Sequence, residues 1–354
     1  MKNPVYTMAL MSTIAGGLCA ADINFSTFVN GSSIGAVEGG DTSTIAFTYA
    51  GNEFVGSTYF NNQLYSANLS GGNVAKFGMP LPESSGSVGE VVVGASLGNA
   101  GFAAGDIYVG SEADGKIYHY TNNGSSENLF TTLPSAAGDV RQIFFDPGTT
   151  FGGNMLVTTT SGNVYEVNSS GVVSLLASVG EDTEGMDIAT SAWGPYAGYL
   201  LVGSENSGTL RLISPGGSIT VVGSVGSFPG AETVSAIPLN LNASDPLQGF
   251  YVSNYPLNVQ FAAASDFTSL LGDVIVTDEF GGSTAWDVHY TGSGFDITPF
   301  TFTGNAINQF EDGIFVTNQR EISFNGTPEP ASLLLVGSVL VVLGLKYKFM
   351  ARGI

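Results

Sequence analysis

Five ionisable residues recur at one position of a repeated segment. Glu90, Arg141, Glu184, Glu232 and Glu311 each open a run of mostly apolar and small residues: Glu90 to Ser96, Arg141 to Pro147, Glu184 to Thr190, Glu232 to Pro238 and Glu311 to Thr317. If these runs are equivalent strands around one axis, four carboxylates and a guanidinium converge at one end of it. Carboxylates on a common axis can hold a hard cation such as Ca²⁺, which takes about six to eight oxygen ligands. Any of the four glutamates could contribute such a ligand, and Asp182, Asp187 and Asp312 lie close by in sequence. Arg141 has two roles open to it. It can fork onto a ligand carboxylate, or it can pair with Glu90 and Glu184 in a structural ion-pair network.

Other catalytic chemistry finds little support. The chain is read as having no Gly-x-Ser-x-Gly nucleophile elbow, no His-Glu-x-x-His helix and no phosphate loop. Its two histidines, His119 and His289, sit in alternating strands between apolar or aromatic neighbours and read as strand residues rather than bases. Asp106 and Asp114 flank Gly110, but not at the spacing of an EF-hand. Asn68 and Asn123 begin Asn-x-Ser/Thr matches of the kind that arise by chance in a polar chain. No residue is assigned as catalytic.

The elements that must position the charged residues are strands. A Gly-led unit recurs at Gly105, Gly153, Gly198 and Gly249, at separations of 48, 45 and 51 residues, with a further copy at Gly272. Each clear copy precedes a turn and an alternating strand, such as Gly115 to Tyr120, Gly162 to Val167 and Gly208 to Ile213, and then a fourth strand such as Val172 to Ala177 or Ser218 to Val222. Period-two alternation bounded by Gly, Asn and Ser marks strands and hairpins. A period near fifty residues with four strands suits the blades of a β-propeller. The expectation is an all-β fold, a single propeller of about six four-stranded blades over residues 22–324. The charged segments are its innermost strands, and Thr42 to Thr48 serves the first blade. The 79-residue step from Glu232 to Glu311 is too long for one blade, so it implies an insertion in blade five or a seventh, degenerate blade. Ile23 to Val29 is the natural closing strand for Glu311 to Phe324. Of the aromatics spread through the blades (Tyr59, Tyr108, Tyr165, Trp193, Tyr251 and Trp286), most belong to the core.

Composition narrows the function classes. The chain has 354 residues, 49 of them glycine, only 9 Lys plus Arg, and a formal net charge of −21. Few straight-chain helix formers and many turn formers favour short strands. Phosphate backbones would repel such a body, which excludes nucleic acid as a partner. Acidity also keeps an exported protein soluble and, with nothing pointing to association, monomeric. The sole cysteine, Cys19, falls in a segment expected to be removed, so no disulfide is available to the body.

The two ends read as addresses. Lys2, an apolar run from Val5 to Leu18, and Cys19-Ala20-Ala21 describe a secretory signal peptide cleaved after Ala21, with a signal helix over residues 1–21. At the other end stand Pro328-Glu329-Pro330, an uncharged apolar segment from Ala331 to Leu345, and the basic residues Lys346, Lys348 and Arg352. The apolar part is short for a spanning helix of about 20 residues, and the trailing basic cluster would stay cytoplasmic. From Pro328 onward the tail resembles the PEP-CTERM sorting signal of Gram-negative bacteria, with all three parts in order. The resemblance implies a transmembrane anchor over residues 325–354, an exosortase-type sorting enzyme as partner, and delivery to the cell envelope or the extracellular polysaccharide matrix.

The body resembles six-bladed NHL-type and gluconolactonase-type propellers in architecture. The second of these holds a divalent metal at its channel mouth through Glu, Asn and Asp. That resemblance offers Glu184 or Glu232 for the glutamate; no Asn or Asp can be matched by motif. Two functions follow. The first is a non-enzymatic, exported and anchored surface protein whose propeller binds a ligand or partner. The alternative is a divalent-metal-dependent hydrolase or lactonase. Glu90, Arg141, Glu184, Glu232, Glu311 and Asp312 are the candidate binding residues in either case, and Ca²⁺ is the candidate cofactor.

Overall fold

The computed structural model describes residues 22–222, 228, 230–279 and 283–317. The expected signal helix, the last residues of the body, the sorting motif Pro328-Glu329-Pro330 and the apolar tail lie outside the described residues. No helix among the described residues is long and apolar enough to cross a membrane.

Six antiparallel sheets form six blades. Blade one runs from its inner to its outer strand as Thr44–Tyr49, Phe54–Thr58, Leu64–Ala67 and Ala75–Phe77. Blades two and three repeat the order with Val91–Ala95, Ile107–Ser111, Asp114–Tyr120 and Glu127–Thr132, then Val140–Phe145, Met155–Thr159, Asn163–Val167 and Val173–Ser178. Blade four follows with Met186–Ile188, Leu200–Ser204, Thr209–Ile213 and Ile219–Val222. Helix among the described residues is limited to Gly31–Val37 and two 3₁₀ segments, Ser191–Tyr196 and Ala264–Phe267.

The long step from Glu232 to Glu311 is an interleaving of blades five and six. Ala231–Ala236 forms the inner strand of blade five. The chain then crosses to blade six and builds its two middle strands, Gly249–Asn254 and Asn258–Ala263. It returns to complete blade five with Val274–Asp278, Ala285–Tyr290 and Phe295–Pro299. Finally it adds Thr301–Gly304 and the inner strand Phe310–Val316 to blade six. The Gly249 unit therefore belongs to blade six and the Gly272 unit to blade five, so no seventh blade is needed.

Asp22–Val29 closes the ring, as the sequence suggests, but with different neighbours. It pairs antiparallel with Asn258–Ala263 and parallel with Thr301–Gly304, rather than directly with the strand opened by Glu311. The resulting five-stranded sheet joins chain segments from both ends and the middle of the body. Closure buries strand edges that would otherwise template aggregation.

The six inner strands pack in sequence and close on each other around the axis. Each second strand is buried along its whole length, because blades cover both of its faces. Outer strands such as Val173–Ser178 are mostly exposed or half-buried, with only Ala177 buried. Apolar burial between blades is the main stabilising term, and hydroxyls clamp neighbouring blades together. Ser57 Oγ donates to the carbonyl of Val91, Thr158 Oγ1 to Glu184, and Ser235 Oγ to Gly313. At Gly185 the inner strands of blades four and five approach so closely that a Cβ would lie 2.1 Å from the carbonyl oxygen of Glu232, so only glycine fits. This contact places Glu184 beside Glu232.

Candidate functional site

The inner strands bring Glu90, Arg141, Glu184, Glu232 and Glu311 together at one mouth of the axis. Arg141 is 6% exposed and lies among carboxylates from both neighbouring blades. From blade two, Glu90 Oε2 and Glu112 Oε1 accept from Nη1 at 2.5 and 2.8 Å. From the blade-four side, Asp182 Oδ1 lies 3.2 Å from Nε and Glu184 Oε2 lies 3.1 Å from Nη2, which also donates to Glu205. Of the two roles open to Arg141, the structure forms the ion-pair network.

Glu232 and Glu311 stand on the far side of the cluster, each 3% exposed. Glu232 Oε2 is buried without a hydrogen-bond partner. Burial raises the Glu232 carboxyl well above the usual range, and Glu311, Glu90 and Glu279 add repulsion. Glu311 is raised in the same way, by burial and then by Glu90 and Glu184. Glu184 is raised by burial even though Arg141 opposes the shift. Burial pushes Glu90 to about 7 against the pull of Arg141, and Glu279 to about 8, with Glu205 hydrogen-bonded to it. One guanidinium cannot neutralise this many buried acids, so several stay protonated at neutral pH.

A second ring, which sequence alignment of the inner strands does not reveal, stands above the first. Glu112, Glu205 and Glu279 each follow immediately on a blade's second strand, after Ser111, Ser204 and Asp278. Tyr59 and Tyr255 hold the same place in blades one and six, and their rings meet edge to face at 6.1 Å. The signal was the residue after each Gly-led unit.

Asp312 lies one layer deeper than the ring and faces the other way along the axis. Its Oδ1 accepts from Gln142 Nε2 at 3.0 Å, and Gln142 Oε1 accepts from the Met186 backbone N–H at 2.5 Å. Gln142 and Asp312 come from blades three and six, which face each other across six blades, so this bond spans the axis. A void of about 10 Å³, bordered by Arg141, Glu184, Glu232 and Asp312, separates it from the charged layer. That is room for a single water at most.

Beyond the Gln142–Asp312 bridge the axis opens into a funnel of about 420 Å³. Its walls are largely apolar, with Val93, Leu97, Ile143, Phe145, Leu239 and Phe315. Asp187 also lines the funnel rather than the charged mouth; its Oδ2 accepts from the Ala236 N–H at 2.9 Å. The volume falls within the range of about 300–1,000 Å³ typical of small-molecule sites.

The remaining sequence candidates are placed elsewhere. His119 Nε2 lies 2.6 Å from Asp106 Oδ2, and His289 Nδ1 lies 2.7 Å from Asp273 Oδ1. These are equivalent cross-strand pairs in blades two and five. The Asp273 hydrogen bond raises His289. Asp114 is held by Lys116 and does not meet Asp106. Gly31-Ser32-Ser33-Ile34-Gly35 has Gly-x-Ser-x-Gly spacing, but Ser33 lies inside the short helix without the strained positive φ of a nucleophile elbow. Tyr108, Tyr165, Tyr251 and Trp193 are core, as expected. Among the described residues, no group of three or more His, Cys, Asp or Glu side chains is arranged to hold a metal ion. A cation between Glu184 and Glu232 would have to share Glu184 with the guanidinium of Arg141.

Because the folded pKa values lie above the unfolded value near 4.5, the folded state binds more protons between those limits. Stability should therefore fall as pH rises from about 5 to about 8, through the raised values of Glu90 and Glu279. Thermal melts across that window should show the decline, and Glu232→Gln should flatten it. Arg141→Met strands buried charges and should cost about 3–5 kcal/mol, with the larger loss at the alkaline end. A melting midpoint that rises with pH would contradict the placement of these acids.

No family model matches the chain, and no curated protein matches it by sequence. Solved structures do match. Virginiamycin B lyase from Staphylococcus aureus aligns with a TM-score of 0.50 at 14% identity, over 81% of this chain and 82% of that one. A structural genomics protein of unknown function from Bacteroides thetaiotaomicron aligns with a TM-score of 0.52 at 10% identity, over 81% and 69%. At such identities the likeness is one of fold, and it agrees with the strand order: the body is a six-bladed β-propeller of four-stranded blades, one of them extended by a fifth strand.

Proposed function

We propose that this chain is an exported, envelope-anchored surface protein whose propeller binds a small ligand in the axial funnel. The observation that carries the binding reading is the shape of the axis. One mouth is filled by the Arg141 cluster, the middle is bridged by Gln142 and Asp312, and the other end is an open, mostly apolar concavity with a few polar groups at depth. Such a combination is the usual form of a ligand pocket. The neutral dye N-phenyl-1-naphthylamine should bind and brighten. Leu239→Trp, a change at an exposed residue of the funnel lip, should weaken that binding by at least about tenfold by filling the space. Dye binding untouched by Leu239→Trp would remove the basis of this reading.

Pro328-Glu329-Pro330, the apolar segment and the terminal basic cluster support export and anchoring, with an exosortase-type enzyme as processing partner and the polysaccharide matrix as destination. Replacing Pro328-Glu329-Pro330 by alanines should leave the protein unprocessed in the membrane. Normal processing of that variant, followed by immunoblot, would end the sorting argument.

The orphaned Glu232 Oε2 beside Glu311 favours a second reading, a divalent-metal-dependent hydrolase or lactonase with Glu184 and Glu232 as ligands. The first reading expects millimolar Ca²⁺ to leave the melting midpoint unchanged, because Arg141 already holds the Glu184 carboxylate. A Ca²⁺-dependent rise lost in Glu232→Gln would favour the second, since a ligand of the native state alone must stabilise it.

A further inference from the structure

We propose that the funnel is a site for an amphipathic amine, a compact apolar body carrying one cationic nitrogen. This rests on the ligand-binding reading above and adds the chemical class of the ligand. The walls supply apolar contact, and four polar side chains of the inner strands, Gln142, Asp187, Ser235 and Asp312, line the pocket. Two of these four are acids, and the described lining residues include no Lys, Arg or His.

Both carboxylates are held in place by the scaffold. Asp187 Oδ1 accepts from the Ile188 N–H at 2.7 Å and Oδ2 from the Ala236 N–H at 2.9 Å, which ties it to the inner strands of blades four and five. Asp312 is fixed by Gln142 across the axis. A ligand cation would thus meet oriented acceptors and would not have to order them first. Behind this floor, across the 10 Å³ void, the Arg141 guanidinium is already paired with carboxylates of the neighbouring blades, so Asp187 and Asp312 set the charge of the funnel floor. A cleft with low-dielectric walls and acids at its base concentrates negative potential. It attracts an ammonium and repels a carboxylate or phosphate, while the apolar walls select against a small hydrated cation.

The test uses the full chain and three dansyl amides of matched length: dansylcadaverine with a terminal ammonium, N-dansyl-pentylamine with no charge, and N-dansyl-6-aminohexanoate with a carboxylate. Fluorescence titration should rank them amine, neutral, acid, with the amine at least about tenfold tighter than the acid. Asp312→Asn should narrow that gap. So should Asn240→Lys, which places a cation at the exposed funnel lip without disturbing any buried group. Equal binding of all three, still abolished by Leu239→Trp, would overturn the amine assignment and leave the pocket standing. Binding of none of them, or binding indifferent to Leu239→Trp, would overturn both.

Discussion

A single buried guanidinium organises the crowded end of this molecule. Arg141 is in contact with Glu90, Glu112, Asp182, Glu184 and Glu205, contributed by blades on either side of its own. Buried carboxylates repel one another strongly when water is excluded, and their desolvation is costly without a counter-charge or a proton. Arg141 supplies the counter-charge for the near side of the cluster. Glu232 and Glu311, further from it, rely on elevated pKa values to remain neutral. The result is a mouth sealed by electrostatics and protons rather than by apolar packing.

That seal divides the axis into unlike halves. Past the bridge between Gln142 and Asp312, the same inner strands present Val93, Ile143, Phe145 and Phe315, and the channel widens into a funnel. The division follows from the polarity of the strands. Every inner strand begins at the charged mouth and runs toward the apolar one, so a single sequence position repeated around the ring becomes a layer. Glutamate or arginine at the first position makes the charged layer, and apolar residues further along make the funnel. The close contact at Gly185 and the hydroxyl clamps hold these strands near enough for the layers to act as units.

The interleaving of blades five and six gives the ring its closure. The five-stranded sheet contains Asp22–Val29, the Gly249–Ala263 hairpin and Phe310–Val316, so both ends of the body and its middle are committed to one blade. Phe25 illustrates the consequence. It is 3% exposed and its ring packs on Phe302 and Phe310, joining the first strand to the last two.

Much of this was legible from residue order. The alternation and the near-fifty-residue period identified four-stranded blades, and the inner strands were recognisable because each of five begins with a charge and continues apolar. Those signals are local and repeat, so a chain read in one dimension reveals them. The partner of the Gly249 unit was not legible. Nothing in Gly249–Asn254 itself distinguishes pairing with Ala231–Ala236 from pairing with Phe310–Val316, and only ring closure decides it. The ring of Glu112, Glu205 and Glu279 was written in the sequence, one residue past each unit, but its meaning depends on strands that return to the same mouth. Asp312 looked like a member of the charged ring because it adjoins Glu311. In a strand, adjacent side chains point to different sides and sit at different depths, so one residue moved it from the sealed mouth to the floor of the funnel. The sequence determined which residue types recur and how often. Tertiary structure decided which of them share a layer, because the distance that governs charge and burial is measured across the axis and not along the chain.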